Sequence, residues 1–344
     1  HIPRLIKQFT TLCNIPVTTT MHAMGVFPED DYLSLGMCGM HGFYSANMAL
    51  QHSDCIINIG ARFDDRIIGD PSTYAPQANH IIQCNISKTE FNVNVSPTHM
   101  VHQDAKIFVE NCIQKHKYQF RTDWMKQIKS WKRQQPLQYN KDRHGRLKTQ
   151  DVLKTIDTYK NPNDIFTFGV GNHLMMGCQY ITWMKPKKII ASGSLGVMGC
   201  SIGYAIGTQI ANPHHTVISI DGDGSFNMTL SDLQTIQRYK LPIKIAIIND
   251  ESLSMVEVWE KLFYGERYTA TSNPNNPDYV ALAESYGIKA MYCDNVDDVH
   301  DCVQTFLKEK GPVLCEFKTL GEECLPLVVP GKSLDNMILF NDKN

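Results

Sequence analysis

The feature that most restricts the fold is an alternation of short apolar runs with helical segments along most of the chain. Runs of strand length that end at glycine or polar residues are typical of buried strands in parallel sheets. A strand, helix, strand order implies right-handed crossovers and helices on both faces of a mostly parallel sheet. The sequence therefore predicts an α/β protein with doubly wound parallel sheets. The predicted strands are 54–60, 80–83, 188–191, 216–220, 243–248 and 312–317.

Two predicted helices of the second half carry signals at their ends. Apolar residues recur at helical spacing over 299–307, and Gly311 is expected to end this helix because glycine favours the position after the last turn. The other helix is expected to begin at Pro277, a favoured first-turn residue, and to end near Gly287.

The distribution of charge predicts where the domains meet. The segment 115–148 contains eleven Lys or Arg residues and two Asp residues, so its net charge is +9, whereas the whole chain has a net charge of −2. Trp124, Ile128 and Trp131 recur in it at helical spacing, which favours a solvated helix between two domains over a nucleic-acid-binding surface. At about 150 residues per domain, the sequence predicts two domains. They are placed at 1–114 and 151–344, with a basic linker at 115–150.

Composition excludes several classes of protein. Hydrophobic residues make up 42% of the chain, which argues against disorder. No apolar run approaches the roughly 18 residues of a membrane span, and the N-terminus has no secretory pattern. Eleven cysteines are scattered without a CxxC pair, so neither a disulfide framework nor a zinc site is indicated. A reducing intracellular compartment, cytoplasmic or organellar, fits best. The chain opens at His1 on what reads as the interior of a domain, and we expect a fragment of a longer protein.

Two acidic turns follow neighbouring predicted strands of the second half. Asp223 lies in the stretch Ile-Asp-Gly-Asp-Gly-Ser-Phe at 220–226, and Asp250 follows the next strand. The segment between them contains a predicted capping box at 229–232. Because the carboxyl ends of parallel strands meet at the edge where open α/β sheets bind ligands, we expect the two carboxylates to lie there together. Mg²⁺ prefers oxygen ligands and completes its shell with phosphate oxygens, so the pair suits a magnesium and diphosphate site.

Four separated motifs resemble the catalytic subunit of the acetolactate synthase family, in the same order along the chain. The resemblance covers residues 15–334 and implies an FAD-type middle domain followed by a domain that binds thiamine diphosphate and Mg²⁺. It also implies decarboxylation of pyruvate and carboligation to a second 2-keto acid, pyruvate or 2-ketobutyrate, in branched-chain amino acid biosynthesis. The motifs are Gly-Met-Cys-Gly-Met-His-Gly at 36–42, Gly-Ala-Arg-Phe-Asp-Asp-Arg at 60–66, Gly-Asp-Gly-Ser-Phe-Asn-Met-Thr-Leu at 222–230, and Met-Val-Glu-Val-Trp-Glu at 255–260 with Phe-Tyr at 263–264.

The resemblance implies roles for individual residues. Asp65, Arg66 and Trp259 would border the substrate, since a guanidinium binds a keto acid's carboxylate and an indole contacts an alkyl group. Without the resemblance, these residues also fit a surface ion-pair cluster and helix packing. Met255 would be a wedge that bends the cofactor. Mg²⁺ would bind Asp223, Asp250 and the main-chain carbonyl of Ser252. Thiamine diphosphate would contact Val170, Gly171, Asn172, His173, Met198, Gly222, Gly224, Ser225 and Met255. FAD would contact Thr20, Met21, His22, His41, Gly42, Gly60, Arg62, Asn85 and Asp104.

The chain also departs from the family's pattern. Asp250 replaces an asparagine, Asn85 replaces an acidic residue, and the usual glycine-rich strand and turn before the first domain is missing. Ser194, Ser201, Gly203 and Ser254 stand where the family tends to carry Gly, Gly, Pro and Gly. The glutamate that activates the cofactor in this family belongs to a domain before His1, so we expect the isolated chain to be inactive.

The expected ligands and partners follow from the same resemblance. They are 2-keto acids, further copies of the chain in a dimer or tetramer, and a regulatory subunit as a candidate partner, but neither nucleic acid nor membrane. Two alternatives remain open: another thiamine-diphosphate-dependent lyase or oxidase of 2-keto acids, and a non-catalytic relic that binds the cofactor or a partner.

Overall fold

A computed structural model describes residues 2–115, 118 and 120–340, and divides the chain into two compact units. The first unit comprises residues 1–138 together with 325–344, and the second comprises residues 139–324. His1, the predicted linker residues 116, 117 and 119, and residues 341–344 lie outside the described residues. Both units combine parallel strands with helices, which confirms the predicted α/β class.

The parallel strands of the first unit form two separate sheets. The strands are β1 (Val17–Thr19), β2 (Ser34–Met37), β3 (Cys55–Ile59), β4 (His80–Asn85) and β5 (His99–His102), and the helices are α1 (Ile2–Cys13), α2 (Tyr44–His52), α3 (Asp65–Ile68), α4 (Ala105–Lys115) and α5 (Thr122–Gln134). Strand β1 pairs with β2, and β3, β4 and β5 pair in that order. A cavity of about 1250 Å³ is lined by residues of both β1 and β3. The predicted parallel sheet of this unit is thus present in two parts.

The basic segment contains helix α5, whose apolar face packs into the first unit. Met125, Ile128 and Trp131 are buried there, and the rings of Trp124 and Trp131 meet edge to face with centroids 5.5 Å apart. The predicted helix is therefore present. It is not a solvated connector, because its apolar residues share one face and are covered by the core of the first unit.

The second unit is built on a seven-stranded parallel sheet. Its strands are β6 (Leu147–Lys148), β7 (Ile165–Phe168), β8 (Ile189–Ile190), β9 (Val217–Gly222), β10 (Lys244–Asn249), β11 (Lys289–Cys293) and β12 (Val313–Leu320). Its helices are α6 (Thr149–Tyr159), α7 (Asn172–Tyr180), α8 (Ser201–Ala211), α9 (Asp223–Phe226), α10 (Leu233–Arg238), α11 (Ser254–Phe263), α12 (Tyr279–Ser285) and α13 (Val299–Lys308). The strand order is β11-β12-β10-β9-β7-β8, and β6 pairs with the end of β12. Strands β9 and β10 are fully buried apart from the last residue of β9, as interior parallel strands should be.

The end of the chain returns to the first unit, which corrects the predicted second domain of 151–344. Strands β13 (Leu327–Val328) and β14 (Met337–Ile338) form an antiparallel pair. Val328, Leu334 and Met337 are buried in one hydrophobic cluster with Phe63 and Ile68 of the first unit. Burial of these apolar side chains explains why residues 325–340 leave the second unit.

All six predicted strands are present, as β3, β4, β8, β9, β10 and β12, but two of the predicted helix termini were wrong. Helix α13 ends at Lys308, the backbone leaves the helical conformation at Glu309 (φ −57°, ψ 134°), and Gly311 does not have a positive φ. Helix α12 begins at Tyr279 rather than Pro277, since Asp278 caps it by accepting from the N–H of Ala281. Its end near Gly287, with φ +72°, is confirmed.

The predicted capping box at 229–232 was also wrong. The hydroxyl of Thr229 makes no helix-capping bond and instead donates to the carbonyl of Gly199 at 2.7 Å. Within the described residues, no helix is both long and apolar enough to traverse a bilayer. Each of the eleven cysteines is a free thiol.

Candidate active site

The candidate site lies where the strand order of the seven-stranded sheet reverses. From β7 the chain passes to β8 on one side and then crosses to β9 on the other side of β7. In open α/β sheets, ligands bind in the crevice at the carboxyl ends of the strands at such a reversal. The turn 169–173 follows β7 and the turn 222–225 follows β9, so the sheet brings two of the predicted motifs to this crevice.

The turn after β7 requires a glycine at its first position. A Cβ on Gly169 would lie 1.7 Å from Oδ1 of Asp221, a distance no side chain tolerates. The chain then turns at Gly171 into helix α7, whose first residue is Asn172. The first N–H groups of a helix have no partner within the helix and carry partial positive charge, which suits a phosphate group.

Asp223 occupies the turn after β9 and is almost fully buried. Its Oδ2 accepts a hydrogen bond of 2.6 Å from Nδ2 of Asn276. Its Oδ1 is buried and has no hydrogen-bond partner in the part of the chain that the structure describes. Burial raises the pKa of this carboxyl above its ordinary value. An unsatisfied buried carboxylate oxygen is costly, and binding of a cation would remove the cost.

Asp250 provides the second carboxylate, directly after β10. Burial raises its pKa to about 7, and its Oδ2 accepts a hydrogen bond from the hydroxyl of Ser254. Ser252, predicted to offer its main-chain carbonyl, lines the same cavity as both carboxylates. No group of three or more His, Cys, Asp or Glu side chains among the described residues is placed to hold a metal. A cation here would therefore rest on two carboxylates and a carbonyl, an all-oxygen set that suits Mg²⁺.

One small cavity, of about 60 Å³, connects these groups. Its volume suits a cation or a phosphate group rather than a whole cofactor. Every residue predicted to contact thiamine diphosphate lies on its wall, although their binding role remains a prediction. These residues are Val170, Gly171, Asn172, His173, Met198, Gly222, Gly224, Ser225 and Met255.

Gly222, the last residue of β9, and Gly224, which follows that strand, leave space that neighbouring side chains occupy. A Cβ on Gly222 would lie 3.0 Å from Nδ1 of His173, and a Cβ on Gly224 would lie 2.4 Å from a methyl carbon of Leu253. A Cβ at either position would therefore force a neighbouring side chain to move.

Asp221 is a residue of the site to which the sequence assigned no role. It is fully buried behind the turn, and its Oδ2 accepts from the hydroxyl of Ser201. Burial raises its pKa to about 7. Asp221 lies within the stretch 220–226, but the pattern of apolar residues along β9 did not indicate that its carboxylate would be buried. Ser201, read from the sequence only as a departure from a glycine, thus has a partner.

Helix α11 carries Met255 to the cavity, whereas Trp259, one turn further along the helix, does not line it. Trp259 is half-buried and meets Phe263 edge to face, with ring centroids 5.4 Å apart. Val256 lies on the same face of the helix as Trp259 and Phe263 and is 49% exposed. Val258 is the one buried residue of this helix. The stripe of Val256, Trp259 and Phe263 is therefore not an ordinary buried packing face.

Asp65 and Arg66 begin helix α3 in the first unit, with both side chains exposed and 4.0 Å apart. The carbonyl of Arg66 accepts from the N–H of Met40 at 2.7 Å, which fixes the backbone but leaves the guanidinium accessible. That they share an active site with Trp259 stays a prediction.

Only some of the residues predicted to contact FAD lie around the same cavity. Thr20, Gly60 and Asp104 follow the carboxyl ends of β1, β3 and β5, and Asn85 is the last residue of β4. Thr20, His22 and Gly60 line the large cavity of the first unit, whereas Met21, His41, Gly42, Arg62, Asn85 and Asp104 do not.

Two of the remaining predicted FAD contacts have partners elsewhere. Oδ1 of Asn85 accepts from the N–H of Ser87, and Arg62 pairs with Asp64 at 3.2 Å. The fit of these residues to FAD is therefore incomplete.

Comparison with known families assigns both halves of the chain. Residues 2–112 match the thiamine pyrophosphate enzyme central domain, and residues 169–317 match the thiamine pyrophosphate enzyme C-terminal TPP binding domain. Together these matches include the candidate site, the parallel strands β1 to β5 of the first unit and strands β8 to β11 of the second.

Among curated proteins, the chain is similar to acetolactate synthases. It is 39% identical over 353 residues to the mitochondrial acetolactate synthase catalytic subunit of Saccharomyces cerevisiae, covering 98% of this chain and 51% of that protein. It is 38% identical over 342 residues to the acetolactate synthase large subunit of Porphyra purpurea, covering 97% and 57%. It is 35% identical over 344 residues to the acetolactate synthase of Mycobacterium bovis, covering 96% and 56%. The chain thus spans about half the length of the relatives it matches.

Proposed function

Because this chain belongs to the thiamine pyrophosphate enzyme family, we propose that it is the cofactor-binding part of an acetolactate synthase. Such an enzyme would decarboxylate pyruvate and join the remaining two-carbon unit to a second 2-keto acid. The observation that carries the proposal is the meeting of two acidic turns and a helix N-terminus at the reversal of the strand order, with Oδ1 of Asp223 buried and unpaired within the described chain.

We propose that the site holds the diphosphate end of the cofactor. The first N–H groups of α7 and the turn 222–225 would surround the phosphates. Asp223, Asp250 and the carbonyl of Ser252 would hold Mg²⁺ between the protein and the phosphates. Thiamine diphosphate, when bound, supplies the electron sink that decarboxylation of a 2-keto acid requires. Met255 would support it from one wall of the cavity.

Substrate recognition is proposed for the remaining predicted residues. The accessible guanidinium of Arg66, with Asp65 beside it, would bind the carboxylate that every 2-keto acid carries. Trp259 is half-buried on a helix that carries Met255, so it would contact the alkyl group of the acceptor.

FAD and a second copy of the chain are further proposals. The carboxyl ends of β1 and β3, where Thr20 and Gly60 line the large cavity, support a ligand in the first unit, and bound flavin would be visible in the absorbance spectrum of the purified protein. A homo-oligomer is supported by exposed apolar side chains of the second unit, since Leu195 is 87% exposed and Met228 is 58% exposed. Sedimentation at several protein concentrations would measure that association.

One observation favours the second candidate function, a non-catalytic protein that still binds the cofactor. The hydroxyl of Ser254 already donates to Oδ2 of Asp250, so one oxygen of this carboxylate is engaged within the protein. A carboxylate here also adds negative charge beside Asp223 and a diphosphate, which lowers cofactor affinity. Carboligation assays of a longer form of the protein would separate the two functions.

The test of the proposal is calorimetric titration of thiamine diphosphate and Mg²⁺ into the 344-residue chain. Asp223→Ala is expected to abolish binding because it removes a proposed ligand of the cation. Asp301→Ala is the matched control, since Asp301 is exposed on α13 and does not line the cavity. Equal affinity in the two variants would overturn the proposed site.

A further inference from the structure

A series of hydrogen bonds between side chains connects Tyr279 to Asp223. The hydroxyl of Tyr279 donates to Oδ1 of Asn227 at 3.0 Å. Nδ2 of Asn227 donates to Oδ1 of Asn276 at 3.0 Å, and Nδ2 of Asn276 donates to Oδ2 of Asp223 at 2.6 Å. Tyr279 and Asp223 are almost fully buried, so both ends of this series of hydrogen bonds are fixed in the core.

The direction of these bonds is determined by the carboxylate. An ionised carboxylate only accepts hydrogen bonds, so the amide of Asn276 must present its NH₂ group to Asp223 and its oxygen to Asn227. Asn227 must then present its own oxygen to Tyr279, whose hydroxyl donates. Rotation of either amide by 180° would place two acceptors against each other.

Asn276 also links the two acidic turns. Its Nδ2 donates a second bond, of 3.2 Å, to Oδ1 of Asn249, which ends strand β10 immediately before Asp250. The amide of Asn249 is fixed in turn, because its Nδ2 donates to Oε1 of Glu316 at 2.6 Å and its Oδ1 accepts from the N–H of Glu251 at 3.2 Å. Both N–H groups of one amide therefore connect the carboxyl ends of β9 and β10.

We propose that Asn276 is a positioning residue for the cation. Its bond of 2.6 Å is the shorter of two to Oδ2 of Asp223, the other coming from Nδ2 of Asn273 at 3.5 Å, so Oδ1 is left as the oxygen presented to Mg²⁺. Asn276 also fixes the separation of the turns that carry Asp223 and Asp250. Asn227 acts one step further back, by fixing the orientation of the Asn276 amide. This inference rests on the proposed function, because it requires the cation to bind at Asp223.

The readout is the affinity of the 344-residue chain for Mn²⁺, used in place of Mg²⁺, with thiamine diphosphate present and free Mn²⁺ measured by electron paramagnetic resonance. Asn276→Ala is expected to weaken binding about 10- to 100-fold, the usual effect of removing a group that orients a metal ligand. Asn275→Ala is the matched control, since Asn275 is an exposed neighbour of the same type, and it should bind like the unaltered chain. Thermal melting without metal verifies that each variant is folded. If Asn276→Ala does not fold, Asn276→Ser is used in its place.

A double variant distinguishes positioning from a general loss of stability. If Asn227 acts through Asn276, Asn227→Ala weakens Mn²⁺ binding by itself but adds nothing to Asn276→Ala. Equal affinities of Asn276→Ala and Asn275→Ala, with Asp223→Ala still losing the metal, would overturn this inference and leave the proposed function intact. Independent, additive losses from Asn227→Ala and Asn276→Ala would also overturn it. Absence of Mn²⁺ binding in the unaltered chain would instead contradict the proposed function itself.

Discussion

Nε2 of His173 lies 3.5 Å from Oδ1 of Asp221, and both side chains are buried. The pair resembles an ion pair but is not one. Burial lowers the pKa of His173 to about 4 and raises the pKa of Asp221 to about 7, so both groups are neutral between these values. Nε2 also has no hydrogen bond of good geometry within the described residues.

The first prediction concerns acid stability. The folded chain keeps His173 neutral down to about pH 4, whereas the unfolded chain binds a proton near the ordinary pKa of 6.5. Stability from this group is therefore complete above pH 6.5 and is lost as the pH falls through 4. His173→Gln should show a smaller decrease in the free energy of unfolding between pH 6.5 and 4.5, as measured by urea titration. A decrease equal to that of the unaltered chain would contradict the assignment.

The second prediction concerns Asp250, whose pKa is raised in the folded chain to about 7 from 3.8. Stability from this group is complete below pH 3.8 and is lost as the pH rises through 7, because the charged form is then buried. Asp250→Asn should increase the free energy of unfolding of the metal-free chain at pH 8. The gain should be on the order of 1–3 kcal/mol, since one pKa unit corresponds to about 1.4 kcal/mol and the side chain is partly accessible. At pH 4 the variant and the unaltered chain should melt at similar temperatures.

The third prediction contrasts two glycines of the second unit. Gly169→Ala places a methyl group 1.7 Å from Asp221 and should destabilise the chain by about 1–3 kcal/mol or more. Gly203→Ala is the control, because a Cβ at this position in helix α8 meets nothing within 4 Å. It should stabilise the chain by about 0.5–1 kcal/mol through helix propensity. Urea unfolding midpoints would show opposite shifts, and a shift in the same direction would contradict the packing described here.

The fourth prediction rests on the proposed function and uses an active, longer form of the protein. Trp259→Leu should shift product formation from the 2-ketobutyrate acceptor toward pyruvate. Because a pocket distinguishes one methylene by about 1–3 kcal/mol, the product ratio should change by roughly 10- to 200-fold at most. Arg66→Ala should weaken both acceptors together, since both carry the carboxylate. A constant ratio in Trp259→Leu with a changed ratio in Arg66→Ala would reverse the two roles.

The sequence predicted the elements that depend on local patterns. Strands β9 and β10 were visible as apolar runs, and their parallel pairing follows from the crossover rule, so the approach of Asp223 and Asp250 to one edge could be anticipated. In each case the residues that carry the signal lie within a few positions of one another.

What escaped prediction depends on contacts between distant positions. Asn276 lies 53 positions from Asp223, in a polar loop whose composition resembles that of any turn. The return of residues 325–340 to the first unit follows from burial of Val328 and Met337 against residues far back in the chain. The predicted helix end at Gly311 was wrong because the helix ends at Lys308. A glycine near the end of a helix does not by itself indicate which residue is the last helical one.

The two-part sheet of the first unit has a consequence for how cooperatively the protein unfolds. Strands β1 and β3 each pair on one side among the described strands and face a cavity, whereas β9 and β10 have a strand on both sides. Opening an edge strand breaks half as many interstrand hydrogen bonds and exposes less apolar surface, so it occurs at a lower free energy than global unfolding. Amide protons of β1 and β3 should therefore exchange with deuterium well before those of β9 and β10. The first unit would be the earlier site of proteolytic cleavage in the native chain.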